Sequence, residues 1–148
     1  MFGDSFSNPA KAIDFKKLIS EAESILDEIT AYTINEKDAS TYAILRELRG
    51  DLSTLYSYLS KTEFFYRQYK KGLFKRVPEA AIEKLYDAKF ELFGSTELLK
   101  DAITALSKYP GEVRWQGTIK IREAKNLLNK IDKFSTKVGK VIDALERS

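Results

Sequence analysis

The chain has 148 residues, 43% of them hydrophobic and 32% charged, with a net charge of +3 and neither cysteine nor histidine. That length suits one domain with a substantial core. The missing residue types exclude a disulfide framework, a thiolate metal site, the usual near-neutral acid–base and the Glu-x-x-His pair of di-iron bundles, so no catalytic residue, metal or cofactor is expected.

Only seven glycines and three prolines punctuate the sequence, which favours long helices over a turn-rich β fold. Met1 to Asn8 lacks a basic region followed by an apolar core, so no signal peptide is expected. No apolar run approaches eighteen residues, so neither a membrane span nor a membrane partner is expected. A cytoplasmic location is the default. Residues 1–8 read as a mobile tail carrying Phe2 and Phe6, and residues 9–148 as a single helical domain.

Asn8-Pro9 is a cap followed by a residue suited to the first helical turn, and it predicts a first helix running to about Tyr32. Its apolar face is Phe15, Ile19, Ala22, Ile25, Leu26 and Ile29, with Ile13 and Leu18 at the margins. Asp38 or Ser40 then caps a second helix from about Ala39 to Lys71. Leu45, Leu48, Leu52, Leu55 and Leu59 step by three and four, and Thr62, Tyr66 and Tyr69 continue that register, which keeps one stripe on one face. Gly50 inside this helix would allow a neighbour to approach closely. Gly72 is the predicted stop, because it tolerates the left-handed conformation that closes a helix.

Pro78 opens a third helix, for which Ile82, Leu85, Tyr86, Phe90 and Phe93 form the predicted core face. Gly94-Ser95 is read as a kink or a one-residue break before Leu98, Leu99, Ala102, Ile103 and Leu106, and Pro110-Gly111 ends the element. The last helix is predicted over about Glu112 to Glu146, with Ile121, Ala124, Leu128, Ile131, Ser135, Val138, Ile142 and Leu145 in register and Leu127, Phe134 and Val141 on one flank. The fold class is therefore all-α: an up-and-down bundle of four long helices, or five if Gly94-Ser95 splits the third. The first helix is the shortest. An apolar overhang of the others would be a self-association surface, so a homo-oligomer is expected.

Charge is unevenly spread. Through Asp38 there are 4 basic and 8 acidic residues, and beyond it 21 and 14. Two basic features follow. Between Arg67 and Arg76 lie five cations, Arg67, Lys70, Lys71, Lys75 and Arg76, and no acid, with Tyr66, Tyr69 and Phe74 interleaved and Phe64 and Phe65 just before. Cations neutralise phosphates and aromatic faces stack on unpaired bases. The same segment also suits a helix C-terminus, where the dipole favours positive charge and the tyrosines belong to the core. On the last helix Lys130, Lys133, Lys137 and Lys140 form a row stepping by three and four, extended by Arg147. That row is either a solvated outer face or a match to the regular spacing of a phosphate backbone or to an acidic protein surface. Trp115, beside Arg114, either caps one end of the core or anchors a partner.

The run from Leu45 to Leu59, continued by Phe65-Tyr66-Arg67-Gln68-Tyr69-Lys70-Lys71, resembles small helical proteins encoded by bacteriophages, including recombination mediators that load a recombinase onto single-stranded DNA as helical oligomers. The resemblance covers Thr41 to Lys71, with a general likeness of the last helix. It implies that Arg67, Tyr69, Lys70 and Lys71 meet DNA, and that the location is the host cytoplasm. The leading expectation is an accessory protein, without enzymatic activity, that binds single- or double-stranded nucleic acid through Arg67, Tyr69, Lys70, Lys71, Lys75 and Arg76, with Lys130, Lys133, Lys137 and Lys140 contributing. The alternative is a helical interaction module (adaptor, inhibitor or assembly subunit) that binds no nucleic acid.

Overall fold

A computed structural model describes residues 12–108 and 115–148, with side chains 106–108 outside the description. Among the described residues there are four helices: α1 (Phe15–Asn35), α2 (Ala39–Lys70), α3 (Glu79–Lys108) and α4 (Ile121–Glu146). Each packs against its neighbours in sequence, and α4 closes the ring on α1. The fold is an all-α up-and-down bundle of four helices. The expected tail, the Asn8-Pro9 cap and the Pro110-Gly111 turn lie outside the described residues, but the first helix does not run on from Pro9 as expected: Ile13 and Asp14 are non-helical, and the Asp14 carboxylate starts α1 at Phe15 by accepting from the Lys17 backbone N–H at 3.1 Å. None of these helices is long and apolar enough to cross a membrane.

The core is built on α2. Leu45, Leu48, Leu52, Leu55 and Leu59 are fully buried, and Thr62, Tyr66 and Tyr69 are buried in the same register. The Asp38 carboxylate starts the helix by accepting from the Thr41 backbone N–H at 2.9 Å and from its hydroxyl at 2.7 Å. Gly72, with φ +82°, ends it. Leu73 N–H donates to the Gln68 carbonyl and Gly72 N–H to the Tyr69 carbonyl, both at 3.0 Å, the paired bonds of a Schellman motif. Gly50 is exposed and has open space where a Cβ would stand, so no helix of the bundle approaches it closely.

α1 brings Phe15, Leu18, Ala22, Ile25, Ile29 and Thr33 to the core. Leu18 is therefore central, while Ile19 and Leu26 sit partly buried at the edge. At one end of the bundle the Phe15 ring packs on Tyr66 with centroids 4.9 Å apart, and Ile13 N–H donates to the Tyr66 hydroxyl at 3.2 Å.

α3 corrects the break alternative at Gly94-Ser95 and the expected core face. It runs unbroken through Gly94-Ser95. The hydroxyls of Ser95 and Thr96 donate to the Leu92 carbonyl at 3.1 and 2.7 Å, which lets both polar residues sit in the core. The buried face is Ile82, Leu85, Ala88, Leu92, Ser95, Thr96 and Leu99. Tyr86, Phe90 and Phe93, expected in the core, are 56%, 66% and 58% exposed. Leu85, Leu92 and Leu99 recur every seven residues and hold the inward face. Residues 86 and 93 each follow a leucine and so turn about 100° away from it.

α4 starts at Ile121, not near Glu112, because residues 115–120 are non-helical. The Glu36 carboxylate, at the end of α1, explains this lead-in. It accepts from the backbone N–H groups of Thr118 at 2.6 Å, Ile119 at 3.0 Å and Asp38 at 3.1 Å. One buried carboxylate thus ties the α1–α2 link to the approach into α4. Burial would raise its pKa, but the donated bonds from Ile119, Thr118 and Asp38 outweigh that, and the group is held below its ordinary range. Trp115 packs on the core at this end, and its Nε1–H donates to the Ile119 carbonyl at 2.6 Å. Gly117 lies against the indole, where a Cβ would fall 2.9 Å from Nε1. Tyr32 donates to Glu123 at 3.2 Å, and its phenol is pushed up to about 12 by burial and by Glu28 and Glu123.

The inward face of α4 is Ala124, Leu127, Ile131, Phe134, Val138, Ile142, Ala144 and Leu145. Leu128, Ser135 and Val141 are only partly buried, so the stripe is rotated towards the flank that carries Leu127 and Phe134.

Leu52→Ala is expected to lower stability by about 2–5 kcal/mol in urea denaturation, whereas Phe90→Ala should change it by less than about 0.5 kcal/mol. Gly72→Ala, which forces an L side chain into positive φ, should cost about 1 kcal/mol. Glu36 contributes stability above its unfolded pKa that is lost as the pH falls through its lowered folded value. Glu36→Gln should therefore cost about 1–3 kcal/mol at pH 7, with the deficit shrinking as both proteins are titrated below about pH 4.

Candidate nucleic-acid interface

The two basic features of the sequence meet different fates. On α4, Lys130 pairs with Glu28 and Lys137 with Glu21, each at 2.7 Å. The rotation of the α4 stripe is the cause. Residues 130 and 137 share a flank of the helix, seven residues apart, and that flank faces α1. Glu21 and Glu28 have the same seven-residue spacing on an antiparallel neighbour. The acidic first helix and the lysine row are thus two sides of one seam, in which Lys133 and Lys140 make no ion pair among the described residues. The α1–α4 seam is the thinnest contact of the ring. It holds two shallow clefts of about 300 and 250 Å³, one near Ala12 and Lys140 and one between Glu28 and Lys133.

At the opposite side of the bundle, the α2–α3 connection keeps its charge unmatched. Arg67, Lys70, Lys71, Lys75 and Arg76 are all exposed, and none pairs with a carboxylate among the described residues. The Schellman closure at Gly72 turns the chain out of α2. Val77, buried at 1% exposure, pulls it back onto the core, and Glu79 begins α3. The six residues 71–76, from the end of α2 to Val77, are all exposed and form a basic tip. Three cations follow the turn or sit in it, while Arg67 and Lys70 occupy the last turn of α2, where the helix dipole favours them. Lys70 Nζ also lies 5.5 Å from the Tyr66 ring centroid.

The aromatic residues sort differently from the sequence expectation. Tyr69, named there as a DNA contact, is only 8% exposed and packs near Tyr66, with ring centroids 6.2 Å apart. Its ring has no free face for a base. Leu73 and Phe74, at 66% and 43% exposed, are the apolar groups that reach solvent in the tip, with Phe64 exposed on α2 nearby. Phe65 bridges them, with centroids 5.6 Å from Phe64 and 6.4 Å from Phe74. The site that emerges is a cationic loop around a small apolar cluster. It can neutralise several closely spaced negative charges and offer one or two aromatic faces.

Trp115 is partly buried against the end of the core; Arg114 lies outside the described residues. The outward row Tyr86, Phe90 and Phe93 was not singled out as a surface in the sequence. The Leu85–Leu92–Leu99 heptad is the signal that would have placed it outside. Among the described residues no group of acidic side chains is placed to hold a metal ion. No known family, curated protein or solved structure matches this chain.

The α1–α4 ion pairs are exposed, so each of Lys130→Ala and Lys137→Ala should cost less than about 1 kcal/mol in thermal or urea unfolding. Loss of several kcal/mol from either would show that the lysine row is structural to a degree that its exposure does not suggest.

Proposed function

We propose that this chain is a non-enzymatic accessory module that binds nucleic acid through phosphate contacts, and that the α2–α3 tip carries the contact. The observation behind this reading is the contrast between the two basic features. The lysine row is partly neutralised by α1, whereas five cations at the tip are exposed, unpaired with any carboxylate among the described residues, and grouped about Leu73 and Phe74. Free cations release counterions when they meet phosphates, which makes binding strongly dependent on salt and weakly dependent on sequence. Phe74 takes the stacking role first given to Tyr69 and would favour unpaired bases. An accessory role in recombination or replication, which the resemblance of Thr41 to Lys71 implies, belongs to the same proposal.

The test is a titration of labelled single- and double-stranded oligonucleotides at several salt concentrations. Engagement of all five cations gives a slope of log K against log salt of about −4.5 for duplex and about −3.5 for single strands. Between 50 and 200 mM salt this is a loss of roughly 10²–10³ in affinity. Charge reversal at Arg67, Lys70, Lys71, Lys75 and Arg76 should abolish binding, while reversal at Lys133 and Lys140 should weaken it only a few-fold. Absence of binding at low salt, or full binding by the tip-reversed protein, would overturn the proposal.

A further inference from the structure

The outward face of α3 carries a second surface. Glu83, Tyr86, Phe90, Phe93 and Glu97 step by three and four, so they fall on one side of the helix. The three aromatic residues are each more than half exposed and lie together with Lys89 around a shallow depression of about 260 Å³. That is room for a large apolar side chain, and it is smaller than an ordinary small-molecule site. Asp87 and Glu91 flank the row, both exposed. Lys84 and Lys89 are the cations within the same stretch, against four acids, Glu83, Asp87, Glu91 and Glu97. Lys89 lines the depression while its stem packs towards α4, with Cε 3.3 Å from where a Cβ on Gly139 would stand. Glu97 is held only loosely, 3.9 Å from Lys100 on the same helix. The surface is therefore three aromatic rings and Lys89, bracketed by an excess of negative charge.

Pairing α3 with α3 of a second copy is disfavoured by that bracket. Centred on Phe90, an antiparallel pair sets Glu83 against Glu97, and a parallel pair sets each glutamate against itself. Like charges opposed in this way cost free energy. A cationic apolar segment has the opposite character, and the chain displays one. Leu73 and Phe74 project at the tip, with Lys70 and Lys71 before them and Lys75 and Arg76 after. Both surfaces are exposed in one chain, so neither covers the other. We infer that the α2–α3 tip of one copy docks on the acidic aromatic face of α3 in a second copy, with Leu73 and Phe74 against Tyr86, Phe90 and Phe93. Two different patches meet in this contact, so it is head-to-tail and repeats along an open chain or a ring of copies. It does not depend on nucleic-acid binding, although it engages the same tip.

The test uses two full-length variants, Phe90→Ser/Phe93→Ser on the face and Leu73→Ser/Phe74→Ser on the tip, in sedimentation or light-scattering mass measurements across a concentration series. All four residues are exposed, so circular dichroism and the urea midpoint should match the parent protein. The parent chain should grow in mass with concentration past the dimer, and less so at high salt. Each variant alone should stay monomeric. A mixture of the two retains one good face and one good tip, and should stop at a one-to-one dimer. Glu83→Lys/Glu97→Lys should lose self-association yet bind the oligonucleotide at least as tightly as the parent, because it leaves the tip intact and uncovered, which separates this contact from the nucleic-acid proposal. A parent chain that stays monomeric, a tip variant that still dimerises, or variants that fail to combine would each overturn it.

Discussion

The structure depends on one seam, the fully buried leucines of α2. Five leucines at alternating three- and four-residue steps can be removed from water only if other helices cover a single side of α2 over most of its length. α1 and α3 do so as its two sequence neighbours, each connected by a link too short to permit anything but an antiparallel return. α4 then fills the remaining side. Each fully buried leucine is worth about 1.5–3 kcal/mol of transfer free energy, so this register outweighs the small costs of a glycine at position 50 or an exposed aromatic row on α3. The Asp38 cap and the Gly72 closure fix where the seam begins and ends.

Closing the ring also sorts the charges. α4 turns Leu127 and Phe134 inward, which swings Lys130 and Lys137 onto Glu21 and Glu28 of α1. A row of lysines that looks free in the sequence becomes half of a cross-helix seam, and the acidic character of α1 finds its counterpart. At the α2–α3 connection the cations have no such counterpart among the described residues. The loop must leave α2 through a left-handed glycine and return through buried Val77, and in between it displays every side chain to solvent. Positive charge and apolar surface are thus concentrated at one corner of the bundle by backbone geometry. The acidic aromatic face of α3 is the complementary outcome on the neighbouring helix.

The helices of this fold were legible in the sequence where periodicity was strong and the caps were chemically specific. The span of α2 and its end at Gly72 follow from residues that can do little else, and of the two cap candidates, Asp38 and Ser40, it is Asp38 that takes the role. α3 was misread because Tyr86, Phe90 and Phe93 outrank Ala88, Ser95 and Thr96 in hydrophobicity. In a tight bundle the small residues and self-bonded hydroxyls belong at the close contact, and the rings are left outside. The start of α4 was misplaced because the cause lies 80 residues away: Glu36 collects backbone donors that a helix from Glu112 would have used internally. Of the candidate site, the five tip cations were legible as a cluster and are exposed as one. Tyr69 belonged both to the core register and to the expected DNA contacts, and its burial decides for the core; the pairing of the lysine row was not foreseen. The first follows from the core register outweighing the basic neighbours, the second from contacts between residues a hundred positions apart.

The central claim is that the tip, rather than the α4 row, presents the available positive charge. Backbone amide NMR of the isotopically labelled protein, with a short oligonucleotide added at low salt, tests it most directly. The account predicts shift changes concentrated in Arg67 to Arg76, with Lys130 to Lys140 nearly unmoved. Changes centred on Lys130 to Lys140, with the tip unmoved, would contradict it.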